Sequence, residues 1–197
     1  MNLMLRKSVL GVAGLVFAGG MFAGPVASFA DSGPVAGESV ASVAVRADKP
    51  DMGRLVPHGV QGEQSRIDLG DEQVANVRAI VAATKKAGMD ERAAVVAIGT
   101  ALQESKLENL GHLGDRNDHD SQGLFQQRPT SGWGTVEQIT DPEYATLAFL
   151  KGLEQVDGWR DMPLTVAAQT VQVSAYPDHY AQWEQQAADL VAEHWNS

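Results

Sequence analysis

The chain predicts a mostly helical domain, all-α or α+β in class, built as a bundle around one central buried helix with a long irregular loop beside it. Three observations carry that expectation. Apolar residues recur at three- and four-residue intervals in about five stretches between residues 71 and 194, the spacing of one helix face. One of them, Ala93-Ala94-Val95-Val96-Ala97-Ile98-Gly99 continuing through Leu102, is apolar on every side, and a helix without a polar face needs other helices around it. Between residues 106 and 134, five Gly and two Asn break any period, and long loops inside compact domains are usually where function resides.

Residues 1–30 read as a secretory signal peptide: Arg6 and Lys7 precede an uncharged apolar run from Ser8 to Gly24, and Ser28 and Ala30 place small side chains before a cut that leaves Asp31 first. A membrane anchor competes with that reading, but a 17-residue run rich in Gly and Ala is short for a bilayer. A secreted protein is expected, touching membrane only before cleavage. Residues 31–70, interrupted by Pro34, Pro50 and Pro57, read as a flexible linker, with a short strand through Val35, Val40, Val43 and Val45 as the alternative.

The domain is expected over 71–197. Asp71-Glu72 offers an N-cap and acidic first turn for a helix to about Ala87, and Gly88 stops it. Asp90 caps the apolar helix. Thr135 and Gln138 form a capping-box pattern, and Asp141-Pro142 opens a helix through Leu147, Leu150 and Leu153 that ends by Gly158. Pro163 begins another to about Ser174, and Tyr180, Trp183, Ala187, Leu190, Val191 and His194 share one stripe of a last helix.

Composition narrows the function. Loss of Arg6 and Lys7 with the leader leaves 13 basic against 25 acidic residues, a charge of −12, and no basic cluster exists to neutralise phosphates, so nucleic acid is excluded as a partner. The same charge gives no attraction to an anionic cell surface, so any binding to one would have to come from a cleft. With no Cys, neither disulfides nor thiol chemistry contribute. His112, Asp115, Asp118, His119 and Asp120 carry ligand-type groups, but their spacing fits neither an EF-hand loop nor a zinc-binding HExxH helix, and a solvated loop is the reading adopted, with no metal and no cofactor. No Gly-x-Ser-x-Gly elbow supports a serine nucleophile.

Glu104 is the most informative acid. It falls at the C-terminal end of the apolar helix, opposite the Val95, Ile98 and Leu102 stripe, with Ala93, Ala97, Thr100 and Ala101 bordering its face. Small neighbours leave room for a ligand, while partial burial and the negative helix end disfavour ionisation, as a general acid requires. A solvated glutamate at a helix end is the competing reading, and position alone does not decide between them.

The string Ala101-Leu102-Gln103-Glu104-Ser105, followed by Gly123-Leu124-Phe125-Gln126-Gln127-Arg128, resembles soluble lytic transglycosylases and goose-type lysozymes of the lysozyme-like superfamily. Gly114-Asp115-Arg116, Asp120-Ser121-Gln122-Gly123, Gly132-Trp133-Gly134-Thr135 and Asp141-Pro142-Glu143-Tyr144-Ala145 are more specifically similar to actinobacterial secreted lysozyme-like domains, over roughly residues 75–195. The resemblance implies an α+β lysozyme-like fold, with peptidoglycan glycan strands as partner, a monomer, and cleavage of the MurNAc-GlcNAc β-1,4 bond. It implies Glu104 as catalytic acid and base, Ser105 hydrogen-bonding near it, and Gln126 against the sugar acetamido region. Gln127 is expected in the cleft, while Arg128 serves equally well in a structural ion pair. Trp133 and Tyr176 offer faces for sugar stacking, with core packing the competing reading.

The Ala-Tyr-Asn-Ala-Gly signature of soluble lytic transglycosylases is replaced here by Ala168-Gln169-Thr170-Val171-Gln172-Val173-Ser174-Ala175-Tyr176. A hydrolytic muramidase would need a second carboxylate, from Asp115, Asp118 or Asp120. Without one, the family's single-glutamate route to a 1,6-anhydro end is implied, and a non-catalytic wall-binding module remains the alternative to an enzyme.

Overall fold

The computed structural model describes residues 50–112, 114, 120–174 and 176–197, and those residues are mostly helical. The leader, the valines at 35–45, Asp115, Asp118 and His119 lie outside the described residues. In order, the helices are α1 (Met52–Leu55), α2 (Asp71–Lys86), α3 (Glu91–Ser105), α4 (Val136–Ile139), α5 (Pro142–Glu154), α6 (Leu164–Gln172) and α7 (Glu184–His194), with 3₁₀ turns at Pro129–Ser131, Trp159–Asp161 and His179–Trp183. No strand occurs among the described residues; the long loop contributes one isolated bridge, Gln122 with Gln127.

The apolar helix is the axis of the domain. Every residue of α3 from Arg92 to Leu102 is buried, enclosed by α1, α2, α5, α6 and α7. α6 crosses so closely that a Cβ on Gly99 would meet Leu164 Cδ1 at 2.6 Å, which is why the stretch carries a glycine there. Arg92 is the charged exception. Its guanidinium donates to Glu184 Oε1 at 2.8 Å, to the Leu55 carbonyl at 2.7 Å and to the Met162 carbonyl at 2.8 Å, joining α1, α7 and the approach to α6.

Helix starts follow the cap chemistry with one shift. Asp90, Thr135 and Asp141 each accept a backbone N–H from the first turn of their helices. For α2 the N-cap is Gly70 rather than Asp71, and Gln73 Oε1 accepts the Gly70 N–H at 2.8 Å. α5 ends at Glu154, four residues before Gly158, whose left-handed backbone starts the Trp159–Asp161 turn. The last stripe divides between the His179–Trp183 turn and α7.

The flexible linker expected over 31–70 needs correction from residue 50 onward. Leu55 is fully buried in the core, Ser65 N–H donates to the Gln182 carbonyl at 2.8 Å, and Ile67 exchanges both backbone bonds with the Gln186 side chain. Residues 50–70 are a strap packed within the unit that spans 45–197. Pro and Gly abolish helical periodicity without abolishing burial, so a packed irregular segment looks like a tether in composition.

Candidate functional site

The end of α3 is an over-determined piece of backbone. Lys106 and Leu107 both adopt left-handed conformations, φ 57° and 64°, which non-glycine residues hold only when neighbours compel them. Here Leu107 is buried, its N–H reaches the Ala101 carbonyl at 3.2 Å, and two side chains of α2 capture the carbonyls that follow: Gln73 takes Lys106 O at 2.7 Å and Asn76 takes Leu107 O at 2.9 Å. Gln103 accepts from Trp183 Nε1 at 2.8 Å and from Gln182 Nε2 at 3.1 Å, so the last turn of the helix is tied to the 3₁₀ turn before α7.

Glu104 projects from this fixed turn, half-buried, into the wall of a groove of about 760 Å³. The Tyr180 hydroxyl donates to its Oε1 at 2.5 Å, and Gln172 Nε2 lies 3.5 Å from the same oxygen while donating to the Phe125 carbonyl at 2.7 Å. Burial, then the adjacent Glu104 charge and its hydrogen bond, push the Tyr180 phenol well above its ordinary value, so it remains a donor across the working pH range. Lys106 is drawn below its ordinary value by burial, against the opposing pull of Glu104; its ammonium sits 4.7 Å above the Trp183 ring and donates to the Leu102 carbonyl at 3.1 Å.

The opposite wall is a tight turn whose residues divide their labour. Gly123 has φ +76°, and a Cβ there would lie 2.0 Å from the Ile139 carbonyl oxygen, so only glycine lets the turn approach α4 so closely. Leu124 and Phe125 are fully buried, and Phe125 stacks on Phe149 at 5.0 Å between ring centres. With those two anchored, Gln126 takes the left-handed position, φ 46°, and lines the groove while its Nε2 donates to the Gly123 carbonyl at 3.1 Å. The third side is the end of α6, where Val173 holds φ 53° at 79% exposure. All four left-handed non-glycine residues among those described thus fall in the groove walls or directly after the helix that carries Glu104.

Of the residues singled out in the sequence, Glu104, Gln126, Gln127, Trp133 and Tyr176 all line this one groove. Gln127 does so from a buried position, with its Nε2 on the Ala145 carbonyl at 3.1 Å. Tyr176 is 63% exposed and stacks on His179, which removes core packing as an account of it. Ser105 is not in the groove lining. It is buried, and its hydroxyl donates to the Ala101 and Leu124 carbonyls at 3.1 and 2.8 Å, stapling the helix end to the tight turn rather than meeting a ligand. Asp120 likewise does not line the groove. Its carboxylate accepts from Arg128 Nε at 2.8 Å and from the Thr130 N–H and hydroxyl at 3.0 Å each, and these partners, Arg128 first, hold it well below the usual carboxylate range. An anion so saturated is a poor general base.

Two contacts of the candidate acid were not singled out in the sequence. Tyr180 read as one member of an apolar stripe, and Gln172 as an amide near the end of a helix; neither carries a local pattern that points to a residue 76 or 68 positions away. In comparison with known proteins, no family model matches this chain and no curated protein matches its sequence.

Proposed function

We propose that this protein is a secreted peptidoglycan-cleaving enzyme with a lysozyme-like fold, a lytic transglycosylase that breaks the MurNAc-GlcNAc β-1,4 bond with Glu104 as its single acid and base. The observation that carries the reading is the carboxyl group of Glu104, fixed on the wall of the groove by Tyr180 and facing a lining of amides, hydroxyls and aromatic faces. Amides recognise acetamido and hydroxyl groups, and rings such as Trp133 and Tyr176 stack on sugars.

In this reaction Glu104 gives its proton to the bridging oxygen as the C1–O bond breaks. The resulting carboxylate takes the proton of the muramyl 6-hydroxyl, whose oxygen closes on C1 to leave a 1,6-anhydro end. Tyr180 and Gln172 steady the carboxylate between the two proton transfers. Capture of Asp120 by Arg128 and Thr130 favours this route over a two-carboxylate hydrolysis that would use Asp120 as base.

The test is digestion of purified peptidoglycan by the chain from Asp31, with mass spectrometry of the soluble products. Muropeptides with 1,6-anhydro ends, abolished by Glu104→Gln, are expected. Reducing ends would transfer the assignment to a hydrolytic muramidase, equal release by the variant would remove Glu104 from the chemistry, and sedimentation with the wall without product would leave a binding module.

A further inference from the structure

Glu104 relies on a turn with few means of holding itself. The Tyr180 hydroxyl reaches it from the 3₁₀ turn His179–Trp183, and a 3₁₀ turn of five residues has poorer hydrogen-bond geometry than an α-helix. Asp178 at its start makes no side-chain cap, and the Ala181 N–H meets the Asp178 carbonyl only at 3.4 Å. α7 follows directly, and its N-cap is Trp183, whose indole cannot accept the free N–H groups of a first turn.

The missing partners come from the strap, 117 residues earlier in the chain. Gln64 brackets the junction of the turn with α7: its Nε2 donates to the Ala181 carbonyl at 3.1 Å, and its Oε1 accepts the Gln185 N–H at 3.0 Å, serving as the cap that Trp183 cannot be. Ser65 holds the next residue of the turn, with its N–H on the Gln182 carbonyl at 2.8 Å and its hydroxyl on Gln182 Oε1 at 2.7 Å. Gln182 passes the restraint on, since its Nε2 donates to the His179 carbonyl at 3.0 Å and to Oε1 of Gln103, the neighbour of Glu104, at 3.1 Å. Neither strap residue lines the groove.

We propose that Gln64 and Ser65 are positioning residues, which fix the turn where the Tyr180 hydroxyl meets Glu104. The inference rests on the function proposed above, in which Tyr180 steadies the Glu104 carboxylate. A hydrogen bond of 2.5 Å passes out of O–H···O range when its donor retreats by about 1 Å, so a slight slackening of the turn leaves the carboxylate unsteadied while the groove keeps its lining. The effect therefore falls on turnover and not on binding.

The test uses the chain from Asp31 with Gln64→Ala and Ser65→Ala together, each alone, and the pair combined with Tyr180→Phe. All are assayed on soluble glycan strands at a temperature where circular dichroism shows them folded. The pair should lower kcat about tenfold with KM within about twofold, and Ser65→Thr, which keeps the hydroxyl, should recover most of what Ser65→Ala alone loses. On Tyr180→Phe the same pair should lower kcat by less than about twofold, because the group that it places is gone. The 13C resonance of the Tyr180 phenol carbon reads the contact without turnover, and in the pair it should move toward its position in Glu104→Ala. The single substitutions carry the test if the pair unfolds. An unmoved resonance, an unchanged kcat in an active chain, or a full tenfold loss repeated on Tyr180→Phe would each overturn the proposal and leave the strap a structural staple. Failure of the enzymatic reading looks different: no chain would release product, while the resonance would still move and uphold the placement of Tyr180.

Discussion

Gly123→Ala is the sharpest perturbation of the groove, because its cost follows from coordinates alone. The new Cβ would stand 2.0 Å from the Ile139 carbonyl oxygen, and ordinary contact begins at 3.4 Å, so the turn or the end of α4 must retreat by about 1.4 Å, the difference between those values. A carbonyl offers no rotamer to relieve the clash. Holding an alanine at φ +76° costs about 1–2 kcal/mol, and overpacking adds about 1–3, for a total of about 2–5 kcal/mol. In a domain of this size that lowers the melting temperature by roughly 5–15 °C. Gly132→Ala is the control: φ is +85° but nothing lies within 4 Å of the added carbon, so only the backbone penalty of about 1–2 kcal/mol applies. Melting of both variants by circular dichroism measures the difference. Since Gln126 lies three residues beyond Gly123, a displacement of about 1 Å should also lower peptidoglycan release by up to about 100-fold. Equal destabilisation by the two substitutions would refute the claim that close approach to Ile139 is what requires a glycine.

Three other outcomes follow from the same geometry. Tyr180→Phe keeps the buried ring and removes the hydroxyl 2.5 Å from Glu104, so turnover should fall about 10–100-fold, the worth of a hydrogen bond to a charged group, while unchanged turnover would show that the phenol does not steady the acid. Arg92→Met strands the Glu184 carboxylate in the core and should cost about 3–5 kcal/mol in urea unfolding, whereas adding Glu184→Met should recover most of it; equal losses would show that the charge pair is not the source. The Asp120 folded value lies below the ordinary carboxylate value of about 3.9, so its contribution to stability is complete above that pH and is lost only as pH falls through the lower folded value. An NMR titration of its carboxyl carbon should accordingly find a midpoint below the ordinary carboxylate value, moving upward in Arg128→Gln; a midpoint near 4 before substitution would contradict the pairing.

What the sequence determined by itself is the local code. Asp90, Thr135 and Asp141 cap helices because a side-chain oxygen two or three residues ahead of an unpaired N–H needs no tertiary help, and α3 is central because an all-apolar helix has no face to give to water. Of the ordered motif from Glu104 to Trp133, Glu104, Ser121, Gln126, Gln127, Arg128, Ser131 and Trp133 line the groove, beside residues from the end of α6 that lie outside the motif. Tertiary structure alone decided the rest. It folded residues 50–70 against the core through Leu55 and Ile67, brought Tyr180 and Gln172 to Glu104, turned Ser105 inward onto Leu124, and gave Asp120 to Arg128 and Thr130. These pairings depend on which helix faces meet and on where irregular backbone finds its hydrogen-bond partners, and neither propensity nor periodicity within a window of a few turns encodes that.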